Sequence, residues 1–317
     1  MRALAAPLLL AALALAGCAT APAIQPPARS FELADVPFFP QTEYQCGPAA
    51  LATVLAHRGV PVDAEDLAPA VYVEGLRGSL QPELLGATRR HGFVPYVLPP
   101  SAAALFAEVD AGNPVLVLQN LGLKRAPVWH YAVVVGYDAA AGRVILRSGT
   151  ERRRGERLAR FLRSWELGGR WAFVAIEPGT LPAAAAPEAY VRAVAGAEPL
   201  LSAEAAERAY ARGLERWPDE PLVLFTAAAH EHGAARLDRA EALYRRLLDV
   251  APSDAAARNN LAHVLAERGC YADALREARA ALDLARGADA LAAAIGDTVE
   301  TLEARARSAP ERSAACL

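Results

Sequence analysis

The hydrophobic positions in the first half of the chain follow two periods, and together they predict an α+β domain over residues 31–178. Five short runs rich in valine, isoleucine and aromatic residues are typical of β-strands: 93–98, 114–119, 129–137, 143–147 and 171–176. A helical period predicts helices at 47–57, 80–91, 102–110 and 156–165, with Ser79 as the N-cap of the second. Because most helices precede the strands instead of alternating with them, we expect helices packed on an antiparallel sheet.

The second half of the chain is helical in pattern and repeats every 34 residues. The repeated positions are Ala206, Ala240 and Ala274 and, in the same way, Pro218 and Pro252. Small residues at such positions let paired helices approach closely, and the pattern resembles the tetratricopeptide repeat. A generic helical bundle is the alternative. We predict an all-α repeat domain over 201–308, with full repeats at 221–254 and 255–288, the second helix of an earlier repeat, and a polar capping helix at 290–308.

The two predicted domains are separated by a segment without hydrophobic periodicity. Residues 178–187 contain three prolines and four consecutive alanines. This composition is typical of a linker, which we place at 179–200. Residues 309–317 are left as a C-terminal tail.

The first residues of the chain have the pattern of a bacterial export signal. Arg2 is followed by an uncharged hydrophobic run to Ala16, which is short for a transmembrane helix. The sequence Leu-Ala-Gly-Cys ending at Cys18 resembles a lipobox, which implies a signal peptide at 1–17 and acylation of Cys18. An ordinary signal peptide with a chance cysteine is the alternative. Residues 18–30 then form a tether, and Ala19 favours the outer membrane, facing the periplasm.

Charge and cysteine content narrow the function classes. The net charge of −3 does not favour nucleic acid as a partner. Cys46, Cys270 and Cys316 remain besides Cys18, and the last two can pair, although nothing in the sequence requires it. No C-x-x-C or H-E-x-x-H motif occurs, so we expect neither a metal nor another cofactor. An arginine-rich run at 151–170 is interpreted as solvated surface, with a wall that guides acidic peptides as the alternative.

Cys46 and His130 are the candidate catalytic pair. Cys46 directly precedes Gly47 and Pro48 at the start of a predicted helix. The unpaired N–H groups there lower a thiol pKa, and the thiolate is the nucleophilic form. His130 opens a strand of largely apolar residues, from which an imidazole can reach a cleft and move protons near neutral pH. Each residue alone is more often structural.

The residues around this pair resemble the bacteriocin-processing, double-glycine leader cysteine peptidases and their stand-alone relatives. The resemblance rests on Gln-Thr-Glu-Tyr-Gln-Cys-Gly-Pro-Ala-Ala-Leu at 41–51 and His-Tyr-Ala-Val-Val-Val-Gly at 130–136. It implies a papain-like fold, Cys46 as nucleophile, His130 as base and acid, and an upstream glutamine as oxyanion donor. Gln41 is favoured for that role over Gln45, which is adjacent to the cysteine.

The third catalytic position departs from the family pattern. An Asp or Asn is expected after the strand that follows the histidine, and Ser148 occupies this position. A serine accepts a hydrogen bond from imidazole but brings no negative charge. Asp138 is the alternative orienting residue, although it should face away from the histidine.

Three functions are consistent with the sequence. The first is a membrane-anchored cysteine peptidase whose repeats recruit a peptide substrate or a protein partner. The second is a catalytically weak, peptidase-like binding module in a lipoprotein complex. The third is another thiol acyl-transfer enzyme of the cell envelope.

Overall fold

The computed structural model describes residues 29–41 and 45–308. The predicted signal peptide at 1–17, the lipidation site Cys18 and the tail at 309–317 therefore lie outside the described residues, as does Cys316. Of the predicted tether, only residues 29 and 30 are described. Within the described ranges, no helix combines the length and the apolar character needed to cross a membrane.

A seven-stranded antiparallel sheet forms the centre of the first domain. Its strand order is β4-β9-β5-β6-β7-β8, and the short β1 pairs with β6. The strands are β1 Phe31–Glu32, β4 Val94–Val97, β5 Val115–Asn120, β6 Trp129–Asp138, β7 Arg143–Ser148, β8 Glu151–Arg157 and β9 Ala172–Ile176, with a separate ribbon of β2 Tyr72–Val73 and β3 Gly78–Ser79. All five predicted strands are present within one or two residues of the predicted bounds.

Five helices cover the two faces of this sheet. They are α1 Cys46–His57, α2 Ala64–Val71, α3 Gln81–Arg90, α4 Ala102–Asp110 and α5 Leu158–Leu167. Helices α1 to α3 pack with Tyr131 and Val133 of β6 in one core, whereas α4 and α5 pack with Ala132 and Val134 in another. Alternate side chains of a strand point to opposite faces, so the central strand supplies both cores. The α+β arrangement predicted from the sequence is confirmed.

One local prediction in this domain was wrong. Ser79 is not the N-cap of α3, whose N-cap is Leu80; Ser79 instead belongs to β3. The arginine-rich run has no buried arginine, in agreement with the surface interpretation, and its residues 151–157 also form the edge strand β8. Its pairing with β7 supplies backbone hydrogen bonds that a composition of four arginines does not predict.

The second domain consists of stacked helix pairs. Its helices are α6 Pro187–Ala197, α7 Ala203–Arg216, α8 Pro221–Gly233, α9 Leu237–Val250, α10 Ala255–Glu267, α11 Tyr271–Leu284 and α12 Asp289–Ser308. Successive pairs begin at residues 187, 221 and 255, which reproduces the 34-residue period. The tetratricopeptide-type, all-α architecture predicted for this domain is confirmed. Helix α12 follows the last pair at the position predicted for the capping helix.

The segment expected to be a linker contains a helix of the first repeat. Within 179–200, residues Pro187–Ala197 form α6, so the structure has three helix pairs where the sequence indicated two and a half. Pro187 was taken as a linker residue, but proline is favourable in the first turn of a helix, where no intrahelical partner for its N–H is lost. Pro221 has the same position in α8.

Helix α6 also joins the repeats to the sheet. Its residues Val191 and Val194 belong to the same buried core as Tyr96 of β4. The Tyr96 hydroxyl donates to the Ala184 carbonyl at 3.0 Å, and the fully buried Glu108 carboxylate accepts the Ala184 N–H at 2.8 Å. The first repeat is therefore fixed to the first domain by side-chain packing and by hydrogen bonds to the connecting backbone.

Candidate active site

Cys46 is the first residue of helix α1 and lines a groove. The residues that follow it explain how the helix start fits against strand β3. Gly47 is required because a Cβ at this position would lie 2.2 Å from the Ser79 Oγ. The close approach of β3 to the helix start therefore depends on the missing side chain. Pro48 in the first turn is favourable for the same reason as in other helices.

His130 is held on the second residue of β6 by a hydroxyl from the neighbouring strand. Its Nε2 lies 2.8 Å from the Ser148 Oγ at the end of β7. Ser148 is buried, with 2% of its surface exposed, so this contact is shielded from water. When Nε2 donates to Ser148, the other ring nitrogen, Nδ1, is left to accept a proton. The structure thus places Ser148, which the sequence offered for the third catalytic position, in contact with His130.

Burial sets the protonation states of the pair. It raises the pKa of the Cys46 thiol, although hydrogen bonds from the backbone of Tyr131, Gly47 and Cys46 itself act in the opposite direction. Burial and, to a smaller extent, the nearby Arg154 guanidinium together lower the pKa of His130 to about 4. The sequence predicted a lowered thiol pKa from the helix terminus; in the structure desolvation outweighs that effect. At neutral pH the site therefore holds a thiol and an uncharged imidazole.

Gln41 lies beside the thiol, as expected for an oxyanion donor. Its side chain lines the same groove as Cys46 and His130, and its Nε2 is 3.5 Å from the Tyr131 carbonyl. Its backbone N–H donates to the Gly149 carbonyl at 3.0 Å, which fixes the segment next to the turn after Ser148. Gln45 is the N-cap residue of α1. Of the two glutamines that the sequence offered, Gln41 therefore occupies the groove.

Asp138, the alternative orienting residue, lies at the other end of β6. Its carboxylate accepts the Ala141 N–H at 3.0 Å and the Ser30 hydroxyl at 3.3 Å. Eight residues of extended strand separate it from His130, a distance of about 26 Å at ~3.3 Å per residue. It stabilises the turn between β6 and β7, and it does not contact the histidine.

The groove that holds Cys46 and His130 has a volume of 990 Å³. Apolar side chains form its rim, and four of them are largely exposed: Leu76, Leu80, Val128 and Trp129. Trp129 keeps 55% of its surface exposed directly beside His130. An open groove with exposed hydrophobic walls and few polar groups has the size and composition of a binding site for an organic ligand.

Sequence reasoning did not find several residues of this site. Arg154 was treated as part of a surface run, yet its charge acts on His130. Ser79 was assigned to a helix cap, but its buried Oγ lies beside the start of α1 without a hydrogen-bond partner among the described residues. Trp129 was the one rim residue with a usable signal, since a large aromatic side chain directly precedes the candidate base.

The raised thiol pKa makes a testable prediction for the free protein. Because the thiolate reacts and the thiol does not, alkylation of Cys46 by iodoacetamide should be slow at pH 7 and accelerate only above the free-thiol value of ~8.5. Mass spectrometry of the alkylated peptide gives the rate at each pH. Cys270 is disulfide-bonded and should not react without reductant. Rapid alkylation of Cys46 at about pH 6 would instead mean that the helix terminus dominates over burial.

The fold and the groove define a papain-like α+β domain with a thiol and an imidazole in one cleft. Residues 33–172 match the sequence model of the Peptidase_C39 like family. The match covers most of the first domain and ends before the repeats.

Solved structures are similar to each half of the chain separately. The peptidase domain of Streptococcus ComA, a bifunctional ABC transporter, is 24% identical over 45% of this chain and 99% of its own, with a TM-score of 0.37. A double glycine motif protease from an AMS/PCAT transporter, solved with its leader peptide, is 22% identical over 45% and 91%, with a TM-score of 0.34. The Sgt2 TPR domain from Aspergillus fumigatus is 17% identical over 40% and 86%, with a TM-score of 0.34. No curated protein matches the chain.

Proposed function

We propose that this protein is a cysteine peptidase of the cell envelope, in which Cys46 is the nucleophile and His130 is the general base. The observation that carries the proposal is the Ser148-held imidazole in the same groove as a thiol at a helix start. Gln41 is the proposed oxyanion donor. The family match of the first domain supports the same class of chemistry.

In the proposed reaction His130 acts in turn as a base and as an acid. His130 Nδ1 takes the proton of the Cys46 thiol as the sulfur attacks the scissile carbonyl carbon, because both groups are uncharged at rest. The negative charge on the carbonyl oxygen is stabilised by the Gln41 amide and the Cys46 backbone N–H. The imidazolium then gives its proton to the leaving amine, which leaves an acyl-thioester. Water, deprotonated by His130, hydrolyses that thioester and restores the thiol.

We further propose that the substrate is an extended peptide with apolar side chains. The exposed rim residues Leu76, Leu80, Val128 and Trp129 offer apolar contacts in the groove that holds the thiol. The repeats, fixed to the sheet through α6, are suited to present a bound substrate or partner protein at a constant distance from the groove. A lipid on Cys18 is proposed to anchor the chain to the outer membrane, facing the periplasm.

A peptide library tests this function. The purified protein is incubated with the library, and products are read by mass spectrometry, with the Cys46→Ala protein as the matched control. Cleavage by wild type alone, next to apolar residues, is the expected result. A thiol-directed active-site probe applied in parallel reports whether the site is intact. Labelling of Cys46 without cleavage of any peptide would contradict the peptidase proposal.

A catalytically weak binding module is the second candidate, and the neutral Ser148 favours it. In the absence of a carboxylate, nothing at this position compensates the charge that His130 acquires, and Arg154 opposes that charge. The two candidates differ in what a carboxylate at position 148 should do.

We expect Ser148→Asp to raise kcat/KM if the site is a peptidase. An anionic acceptor makes a charge-assisted bond to imidazolium that is roughly twice as strong as a neutral one, which corresponds to about fivefold in rate. Ser148→Ala should cost about fivefold, the scale of one neutral hydrogen bond. Asp138→Ala is the control and should leave the rate unchanged. An inactive wild type that stays inactive in all three variants would favour the binding module.

A further inference from the structure

A row of exposed arginines lies along the free edge of the sheet. It consists of Arg143 on β7 and Arg152, Arg153 and Arg157 on β8, and is called the basic edge below. All four residues are exposed, and β8 is the last strand of the sheet, so no further strand covers them. Only Arg153 has an acidic partner within the described ranges, Glu32 at 2.9 Å.

The basic edge contains a like-charge pair in direct register. Arg143 and Arg157 are partners in the antiparallel register of β7 and β8. Directly opposed side chains of a sheet share one face and lie about 5 Å apart at Cβ, and equal charges in such positions repel. On its other side Arg143 has Asp138 of β6 as its register partner, whereas no ion pair is formed by Arg157 among the described residues. An external anion beside Arg157 would relieve the repulsion between the two arginines.

The chain enters the domain beside the same edge. Ser30 is held against the β6–β7 turn by hydrogen bonds with Asp138 and Ala139. Two residues further along the chain, Glu32 forms an ion pair with Arg153. Cys18 precedes Ser30 by twelve positions in the sequence. Twelve residues reach at most about 40 Å, so a lipid on Cys18 would keep this end of the sheet close to the bilayer.

We propose that the basic edge is a docking face for an anionic phospholipid surface. The inference rests on the proposed anchoring at Cys18, and it adds the orientation of the domain on the membrane. Guanidinium groups pair well with phosphate oxygens. Their attraction to an anionic leaflet extends over only about one Debye length, ~10 Å, and the tether would hold the domain close enough to the membrane for this attraction to act. Docked in this way, the domain has its sheet edge on the lipid.

The active-site groove is placed at a different end of the same strands. Glu151, at the start of β8, is the register partner of Ser148, whereas Arg157, at its end, is the partner of Arg143. The six residues from 151 to 157 separate the two ends by about 20 Å of strand. A membrane at the Arg143–Arg157 end therefore leaves the groove of Cys46 and His130 open to substrate.

Protection of arginines from phenylglyoxal tests this orientation. The full acylated chain is placed on vesicles of phosphatidylcholine, with or without phosphatidylglycerol, and modification is read residue by residue by mass spectrometry. We expect modification of the basic edge to slow about fivefold per residue on the anionic vesicles and to recover at high salt. Arg305 and Arg307, which are exposed on α12, should react equally on both.

A matched pair of variants tests whether the protection depends on the basic edge itself or only on the total positive charge of the protein. The Arg143→Gln, Arg157→Gln protein should lose the protection of Arg152 and Arg153, and the Arg305→Gln, Arg307→Gln protein should keep it. Thermal unfolding verifies that both variants fold. Equal protection on both vesicle types would overturn the proposal. So would protection by a soluble acidic peptide without protection on anionic vesicles, which would assign the edge to a protein partner.

Flotation of the vesicles distinguishes failure of the docking face from failure of the proposed lipid anchor on Cys18. Wild type that floats with both compositions supports the lipid on Cys18, and Cys18→Ser should abolish flotation with phosphatidylcholine alone. If wild type floats with neither, the anchoring proposal fails. In that case the protein is mixed with anionic vesicles, and protection of the basic edge from phenylglyoxal is still measured. If protection is absent, the docking face is overturned as well.

Discussion

Replacement of His130 by glutamine is expected to lower kcat/KM for peptide hydrolysis by about a thousandfold, within the range of ~10² to 10⁴ typical for general acid–base groups. Among the described residues that line the groove, His130 is the only one with a side chain able to take the thiol proton near neutral pH, and it is needed again to protonate the leaving amine. Because burial lowers its pKa to about 4, it is uncharged and able to accept a proton at any pH from 5 upwards.

The amide of glutamine retains the size of the side chain and one hydrogen-bonding group toward Ser148, so the fold should persist. His91→Gln is the matched control, since His91 is an exposed histidine at the C-cap of α3. Steady-state cleavage of the best library peptide gives the rates, and thermal unfolding verifies both proteins. Full activity in the His130→Gln protein would exclude this residue as the base.

The acid limb of the pH profile checks the same assignment. Since the pKa of His130 is lowered and the free base is the active form, activity of wild type should persist down to about pH 5 and decline as the pH approaches 4. A histidine with an ordinary pKa would lose activity near pH 6.5. A decline at pH 6.5 would mean that substrate binding, or the thiolate, restores the ordinary pKa of the imidazole.

The fold was largely predictable because its signals are local. Five of the seven strands of the sheet are short runs rich in β-branched and aromatic residues, and the repeats have a period that can be counted. What could not be predicted depends on long-range pairing. Strand β8 is rich in arginine and has no strand-like composition, and only its ladder with β7 makes it a strand. Helix α6 was not predicted because proline occurs both in linkers and in the first turn of helices, so the prolines of this segment were interpreted as a linker.

The sequence indicated which residues form the candidate site, but it did not indicate how their pKa values are shifted. Cys46 and His130 were singled out from their local sequence, and Gln41 and Ser148 followed from the resemblance to a peptidase family. The direction of the thiol pKa shift could not be found in this way, because it depends on how deeply β3 and β6 bury the start of α1. Arg154 acts on His130 across the sheet from a strand that the sequence did not reveal, so its effect also required the three-dimensional arrangement.

Removal of the Gln41 amide should have the second largest effect, a loss of about a hundredfold in kcat with little change in KM. The amide is proposed to bond the carbonyl oxygen only when that oxygen becomes an anion, so it stabilises the transition state more than the bound substrate. One oxyanion donor contributes about 3 kcal/mol, which is roughly a hundredfold in rate. The Gln41 backbone is tied to Gly149, so the Gln41→Ala protein should keep the local fold.

Two control variants decide between the glutamines near the thiol. Gln81→Ala removes an amide that also lines the groove, and it should change KM rather than kcat. Gln45→Ala changes the N-cap residue of α1 and should affect thermal unfolding more than the rate. If Gln45→Ala costs a hundredfold in kcat while Gln41→Ala costs nothing, the oxyanion donor is the adjacent glutamine, and the groove must rearrange when substrate binds.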